Sequence, residues 1–132
     1  MESPPRRLVV YCDGAAEPNP GPAGIGGILL DERGKAVAQF SRSIGESTNN
    51  QAEYRALIAA LEMALELGAA EVEIRSDSQL LVSQVCGRYR VRNAALRPLW
   101  QRTAELLRRF HSYTIRHIPR GQNRADALSR RF

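Results

Sequence analysis

The period of the hydrophobic pattern changes once, sharply, at Thr48, and that change constrains the fold more than any other feature of the chain. Before it lie three short, largely apolar runs: 8–13 (LVVYCD), 25–31 (IGGILLD) and 36–44 (AVAQFSRSI). A stretch dense in Gly, Pro and Asn at 14–24 separates the first two, and a turn from Asp31 to Lys35 separates the others. Short runs joined by turn-forming segments predict three strands in an antiparallel meander. Gly26-Gly27 inside the second run predicts a bulge or the close approach of another backbone. From Thr48 the period is helical. Thr48-Asn49-Asn50-Gln51 reads as a capping box, with Thr as N-cap and Gln at the third helical position. Ala52, Ala56, Ala59, Ala60, Met63, Ala64 and Leu67 then recur at helical spacing, and Gly68 ends the helix. These small residues let the helix lie close to a sheet.

The rest of the chain alternates. Residues 71–76 read as a strand, 78–86 as a helix stopped by Gly87, and 112–118 as a last strand. Asn93 reads as the cap of a helix over 94–110, and about 122–131 as a short C-terminal helix. The Leu96, Leu99, Trp100, Leu106 and Leu107 stripe of the 94–110 helix reads as packing on the sheet. The order βββ-α-β-α-α-β-α predicts an α/β fold with a five-stranded mixed sheet, three antiparallel strands followed by parallel ones, and helices on both faces. Right-handed crossovers would place the strand ending near Asp77 beside the first strand.

A length of 132 residues suits a single domain over 1–132, with 1–6 as a flexible N-terminal extension. No apolar stretch approaches the roughly 20 residues that span a bilayer, and Met1–Arg7 carries no apolar signal core. The expectation is a cytoplasmic protein without membrane attachment. Cys12 and Cys86 lack metal-pair spacing; Cys12 reads as a buried free thiol, which suits a reducing compartment. No feature points to an oligomer, so a monomer is expected. The net charge of +5 suits a polyanionic partner, since each neutralised phosphate releases counterions.

Four acids stand where this topology can gather them. Asp13 ends the first strand and Asp77 the fourth; neighbouring strands are about 4.8 Å apart. Glu53 lies in the first turns of the helix after Thr48, and Asp126 opens the last helix. Two unit charges at 4 Å repel by about 4 kcal/mol at an effective dielectric near 20, so such a cluster needs cations or raised pKa values. Oxygen-only ligands favour Mg²⁺ or Mn²⁺. Two such ions, about 3.5–4 Å apart, hold both the attacking water and the leaving oxygen of a phosphodiester. Each acid also has a plainer reading. Asp13-Gly14 is a hairpin dipeptide, Glu53 suits the helix dipole, Asp77 suits a helix cap, and Asp126 suits a solvated surface.

The joint pattern resembles the type 1 group of the ribonuclease H family over nearly the whole chain. The motifs are Tyr11-Cys12-Asp13-Gly14, Asn19-Pro20-Gly21-Pro22-Ala23-Gly24-Ile25-Gly26, Thr48-Asn49-Asn50-Gln51-Ala52-Glu53, Ser76-Asp77-Ser78-Gln79 and Asn123-Arg124-Ala125-Asp126-Ala127-Leu128. The resemblance implies that Asp13, Glu53, Asp77 and Asp126 are catalytic acids holding two Mg²⁺ (or Mn²⁺) ions with substrate bound. It implies hydrolysis of the RNA strand of an RNA/DNA hybrid, leaving a 5′-phosphate and a 3′-hydroxyl, with Glu53 near the ribose 2′-hydroxyl. It also implies that Asn19, Asn49, Asn50 and Gln79 meet the minor groove and RNA strand, that Thr48 and Asn93 hold a phosphate of the DNA strand, and that Gly14 admits the substrate backbone.

The chain departs from the family in three places. The loop that carries a histidine in many members is short here, 117–123; His117 ends the last strand, and Arg120 is the candidate substitute able to contact phosphate but not to act as a base. The basic protrusion of many bacterial members is missing, leaving Arg88, Arg90, Arg92 and Arg97 as a smaller patch, so weaker and more salt-sensitive hybrid binding is expected. Glu46 stands where some relatives place an arginine beside the DNA-phosphate pocket. Two alternatives stay open: a nuclease of the same fold that also cuts double-stranded RNA, and a hybrid-binding module without catalysis.

Overall fold

The computed structural model describes residues 7–130. The expected extension at 1–6 and the end of the last helix lie outside the described residues. Five strands, β1 (Arg7–Ala16), β2 (Gly21–Leu30), β3 (Ala36–Ser47), β4 (Glu71–Ser76) and β5 (Ser112–His117), form one sheet in the order β3-β2-β1-β4-β5. β1–β2 and β2–β3 pair antiparallel, while β1–β4 and β4–β5 pair parallel. The mixed sheet therefore has the expected composition, with β4 beside β1.

Helices cover both faces. α1 (Asn49–Glu66), α2 (Gln79–Val85) and α3 (Arg97–Leu107) pack with Leu8, Val10 and Cys12 of β1 in the main core. α4 (Asp126–Ser129) lies across β1, β2 and β3. On that side Ala125 packs with Tyr11, Leu30 and Ile118. The alternation of β1 side chains assigns its residues to these two layers. α1 is fixed at both ends by local chemistry. The Thr48 Oγ1 accepts from the Gln51 N–H at 3.1 Å while Gln51 Oε1 accepts from the Thr48 N–H at 3.0 Å. At the other end Gly68, at φ +80°, allows the Ala69 N–H to reach the Ala64 carbonyl, closing a Schellman turn. Ala52, Ala56, Ala60 and Ala64 are fully buried, with Leu57 and Leu61 completing the face.

The segment 14–24 is not a loop. β1 continues to Ala16 and β2 begins at Gly21, leaving only 17–20 as the turn. The small residues here serve packing: a Cβ on Gly14 would overlap the Ala52 carbonyl group, so only glycine admits the start of α1. Gly26 and Gly27 do permit close approach. A Cβ on Gly26 would stand 2.5 Å from Leu128 Cβ and 2.6 Å from the Ser129 nitrogen, while one on Gly27 would meet the Phe40 ring. α3 starts three residues later than expected. Asn93 caps a preceding turn, its Oδ1 accepting from the Ala95 and Leu96 N–H groups, and Pro98 sits in the first turn of the helix proper. The C-terminal helix is shorter too, because a 3₁₀ turn at Arg120–Gln122 precedes it. Among the described residues no helix is long and apolar enough to cross a membrane.

Candidate active site

β1, β4 and α1 converge on one end of the sheet. Asp13 sits near the C-terminal end of β1, directly across from Gly26 in β2. Asp77 follows the last residue of β4. Ser78, not Asp77, caps α2, its Oγ accepting from the Leu81 N–H at 3.2 Å, so the aspartate is left out of capping. Glu53 lies beyond the first turn of α1 and reaches β1, where its Oε1 accepts from the Gly14 N–H at 2.6 Å. The plainer readings of these three acids therefore give way. Asp13-Gly14 lies within a strand, Glu53 is bound to the neighbouring backbone, and Asp77 is not a cap. One carboxylate oxygen from each of Asp13, Glu53 and Asp77 lies within 4.8 Å of the others.

Asp126 lies outside that group of three, at the head of α4. Its Oδ1 is buried without a hydrogen-bond partner, and the Arg130 Nε stands 3.7 Å away. Its charge nonetheless acts on Asp13.

Two further donors hold the acids. The Asn123 Nδ2 donates to Asp77 Oδ2 at 3.1 Å and to the Cys12 carbonyl at 3.0 Å. The Ser129 Oγ donates to Asp13 Oδ2 at 2.6 Å. Sequence reasoning missed both as site residues. Asn123 stood within a quoted motif, but nothing in the pattern marks Ser129.

The electrostatics follow from burial. Asp13 is 3% exposed and Glu53 7%. Burial, reinforced by Asp77 and Asp126, pushes Asp13 up to about 7 against the opposing Ser129 hydrogen bond and the Arg120 charge. Burial and then the Asp13 charge raise Glu53 well above the ordinary glutamate range. Burial likewise raises the Cys12 thiol, with Glu53 the next contributor, so Cys12 is an inert neighbour.

A cleft of about 480 Å³ opens on this end, lined among others by Asp13, Gly14, Asn19, Asn49, Asn50, Glu53, Arg120 and Arg130. Five of the expected substrate-contact residues are thus gathered with two of the acids. Asn19 and Asn49 are also tied together: the Asn49 N–H donates to Asn19 Oδ1 at 3.0 Å, and Asn49 Oδ1 accepts from the Ala16 N–H at 2.7 Å. Gln79 is exposed at the start of α2. Thr48 and Asn93 do not line this cleft, and both oxygens are engaged as caps. Beside them a smaller cleft of about 200 Å³ is lined by Glu46, Ser47, Gln51, Arg55, Ala95, Pro98 and Leu99. His117 ends β5 with its Nε2 3.2 Å from the Asp77 carbonyl oxygen.

The Reverse transcriptase-like family matches residues 11–132. Ribonuclease HI of Halobacterium salinarum is 47% identical over 124 residues, 93% of this chain and 62% of that protein. The chain spans less than two thirds of that relative and 34% of the mycobacterial bifunctional protein Rv2228c. The crystal structure of the Halobacterium RNase H1 superposes with a TM-score of 0.91 at 46% identity, covering 94% of this chain and 95% of that one. The N-terminal RNase H domain of Rv2228c from Mycobacterium tuberculosis gives 0.92 at 37% identity over 94% and 91%. LC11-RNase H1, solved in complex with an RNA/DNA hybrid, gives 0.88 at 42% identity over 93% and 94%. The strand order, the gathering of acids from β1, α1 and the end of β4, and these likenesses together make the chain a member of the ribonuclease H family, in its type 1 group.

Proposed function

We propose that the chain is an endoribonuclease that hydrolyses internal phosphodiesters in the RNA strand of an RNA/DNA hybrid, leaving a 5′-phosphate and a 3′-hydroxyl. The observation that carries this is the convergence of three carboxylates within 4.8 Å, two of which, the buried Asp13 and Glu53, line a polar cleft. Such a cluster fits divalent cations. The donors are all oxygen, which suits Mg²⁺ or Mn²⁺, and burial first, with the neighbouring acids after it, raises Asp13 and Glu53, a cost on their charged forms that a bound cation would offset. Asp13, Glu53 and Asp77 would hold the ions, two with substrate bound, and Asp126 would complete the set. When bound, the ions supply an activated water, in-line orientation and neutralisation of charge developing on the phosphate.

The chain's own residues do the positioning. The Gly14 N–H fixes one Glu53 oxygen, and Asn123 orients Asp77. Asn19, Asn49 and Asn50 place amides along the cleft wall, and with Gln79 they offer donors and acceptors to the minor groove and the RNA strand. Glu53 lies at the wall where a 2′-hydroxyl would distinguish RNA from DNA. Gly14 lines the cleft, but the space its missing Cβ would take is filled by the Ala52 carbonyl group, so its being glycine serves α1 rather than the expected approach of the RNA backbone. Arg120 contributes positive charge at the scissile phosphate, and Thr48 with Asn93 would take a phosphate of the DNA strand. We further expect a cytoplasmic monomer.

One observation favours a wider substrate range. Glu46, exposed and lining the small cleft beside Thr48 and Asn93, sets a carboxylate near where the DNA phosphate would rest, weakening selection for a DNA second strand. Labelled RNA/DNA, RNA/RNA and DNA/DNA duplexes incubated with Mg²⁺ or Mn²⁺ test both proposals. Cleavage of the hybrid with loss on Asp77→Asn is expected, with slower cutting of RNA/RNA. A protein that binds the hybrid and leaves it intact with either metal would reduce the chain to a binding module.

A further inference from the structure

One transverse row of the sheet seats α4. Ser41 in β3, Gly26 in β2 and Asp13 in β1 are register partners in sequence across the three strands. The Ser41 Oγ donates to the Leu128 carbonyl at 2.5 Å, and Gly26 supplies the gap that the Leu128–Ser129 backbone occupies. Asp13 receives the Ser129 hydroxyl at 2.6 Å. Ser129 is fully buried and Asp13 nearly so. The Asp126 carbonyl oxygen, 2.9 Å from the same hydroxyl, is a second acceptor that competes for its one proton, and the Asp13 contact is the shorter.

From this arrangement we infer that Ser129 is a positioning residue for Asp13, a role that rests on the metal site proposed above. A serine hydroxyl carries a single proton. Donated to Oδ2, it stops the carboxylate from rotating about its Cβ–Cγ bond and commits one oxygen, leaving the other to a cation. Hydrogen-bond partners of metal-ligating carboxylates fix the ligand's orientation, and their loss typically weakens metal affinity 10–100-fold. The row beneath α4 explains why a four-residue helix can do this. Its backbone is bonded at Leu128 and inserted over a glycine, so the position of Ser129 is set by the sheet rather than by the helix.

The test is calorimetric titration of Mn²⁺ into the metal-free protein, a measurement independent of catalysis. Ser129→Ala is expected to raise the Mn²⁺ Kd about tenfold, and Ser129→Thr, which keeps the hydroxyl, to stay within about threefold of the parent. Ser129→Val, matched to threonine in shape, is expected to behave like alanine. If Ser129→Ala does not fold, the Thr and Val pair decides by the same criterion. Equal Kd values for the parent and Ser129→Ala, or for Thr and Val, would overturn the inference and leave the metal site standing. Absence of saturable Mn²⁺ binding by the parent would overturn the metal site itself.

Discussion

Replacing Asp13 by Asn is expected to stabilise the metal-free protein while removing its capacity to bind metal. In the fold burial and neighbouring acids hold Asp13 up to about 7, against an ordinary value of 3.8. Between those values the folded chain keeps a proton that the unfolded chain has released, so stability falls as pH rises from about 4 to about 7, and the full cost is present above that and absent below about 4. A shift of about three pKa units at about 1.4 kcal/mol each sets a ceiling near 4 kcal/mol above pH 7. The asparagine keeps an acceptor for Ser129 but carries no charge, and relaxation of the protein and solvent around the parental carboxylate holds the gain to about 2 kcal/mol, or roughly 6 °C in Tm for a chain of this size. Thermal melts in EDTA at pH 8 should show that gain in full, and melts at pH 5 only a smaller part of it, because at pH 5 the folded Asp13 is protonated while its unfolded counterpart is already ionised. Added Mn²⁺ should raise the Tm of the parent and not that of the variant. An Asp13→Asn protein no more stable than the parent at pH 8, or equally stabilised at both pH values, would refute the buried Asp13 charge as the cost carried by the site.

Other expectations follow from single contacts. Gly26→Ala places a Cβ 2.5 Å from Leu128 Cβ and should cost about 1–3 kcal/mol in urea unfolding with loss of hybrid cleavage, since α4 must lift from the sheet. Tyr54→Phe removes the buried 2.6 Å hydrogen bond to Gln84 Oε1 and should cost about 1–3 kcal/mol in the same assay, leaving the metal Kd unchanged. Arg88→Ala and Arg90→Ala, on the exposed segment between α2 and α3, should each weaken hybrid binding and lower the slope of log Kd against log salt by about 1, measured by fluorescence anisotropy.

Features written as local chemistry were legible in the chain. The capping box at Thr48, the glycine stops at Gly68 and Gly87, and the period change that makes a meander precede α1 all read directly, and with them the sheet that brings β4 beside β1. Misreadings arose where one residue type serves two purposes. Gly14 resembles a turn residue, yet it is small because α1 lies on it. Asn93 caps a turn rather than the helix it precedes. Three of the four acids were legible as a converging group because strand ends and a helix start place them. The placement of Asp126 and the contact from Ser129 depend on how α4 lands on Gly26, a tertiary fit between segments about a hundred residues apart that no local pattern encodes.

The chain order of these groups bears on biosynthesis. Asp13, Glu53 and Asp77 leave the ribosome well before Asn123 and Ser129, the amide and hydroxyl that restrain them. A nascent polypeptide therefore passes through a stage in which mutually repelling acids are present without their restraints. Docking of the last turn onto the β1–β3 row is then the event that brings the Ser129 hydroxyl to Asp13, the contact on which the proposed metal site depends.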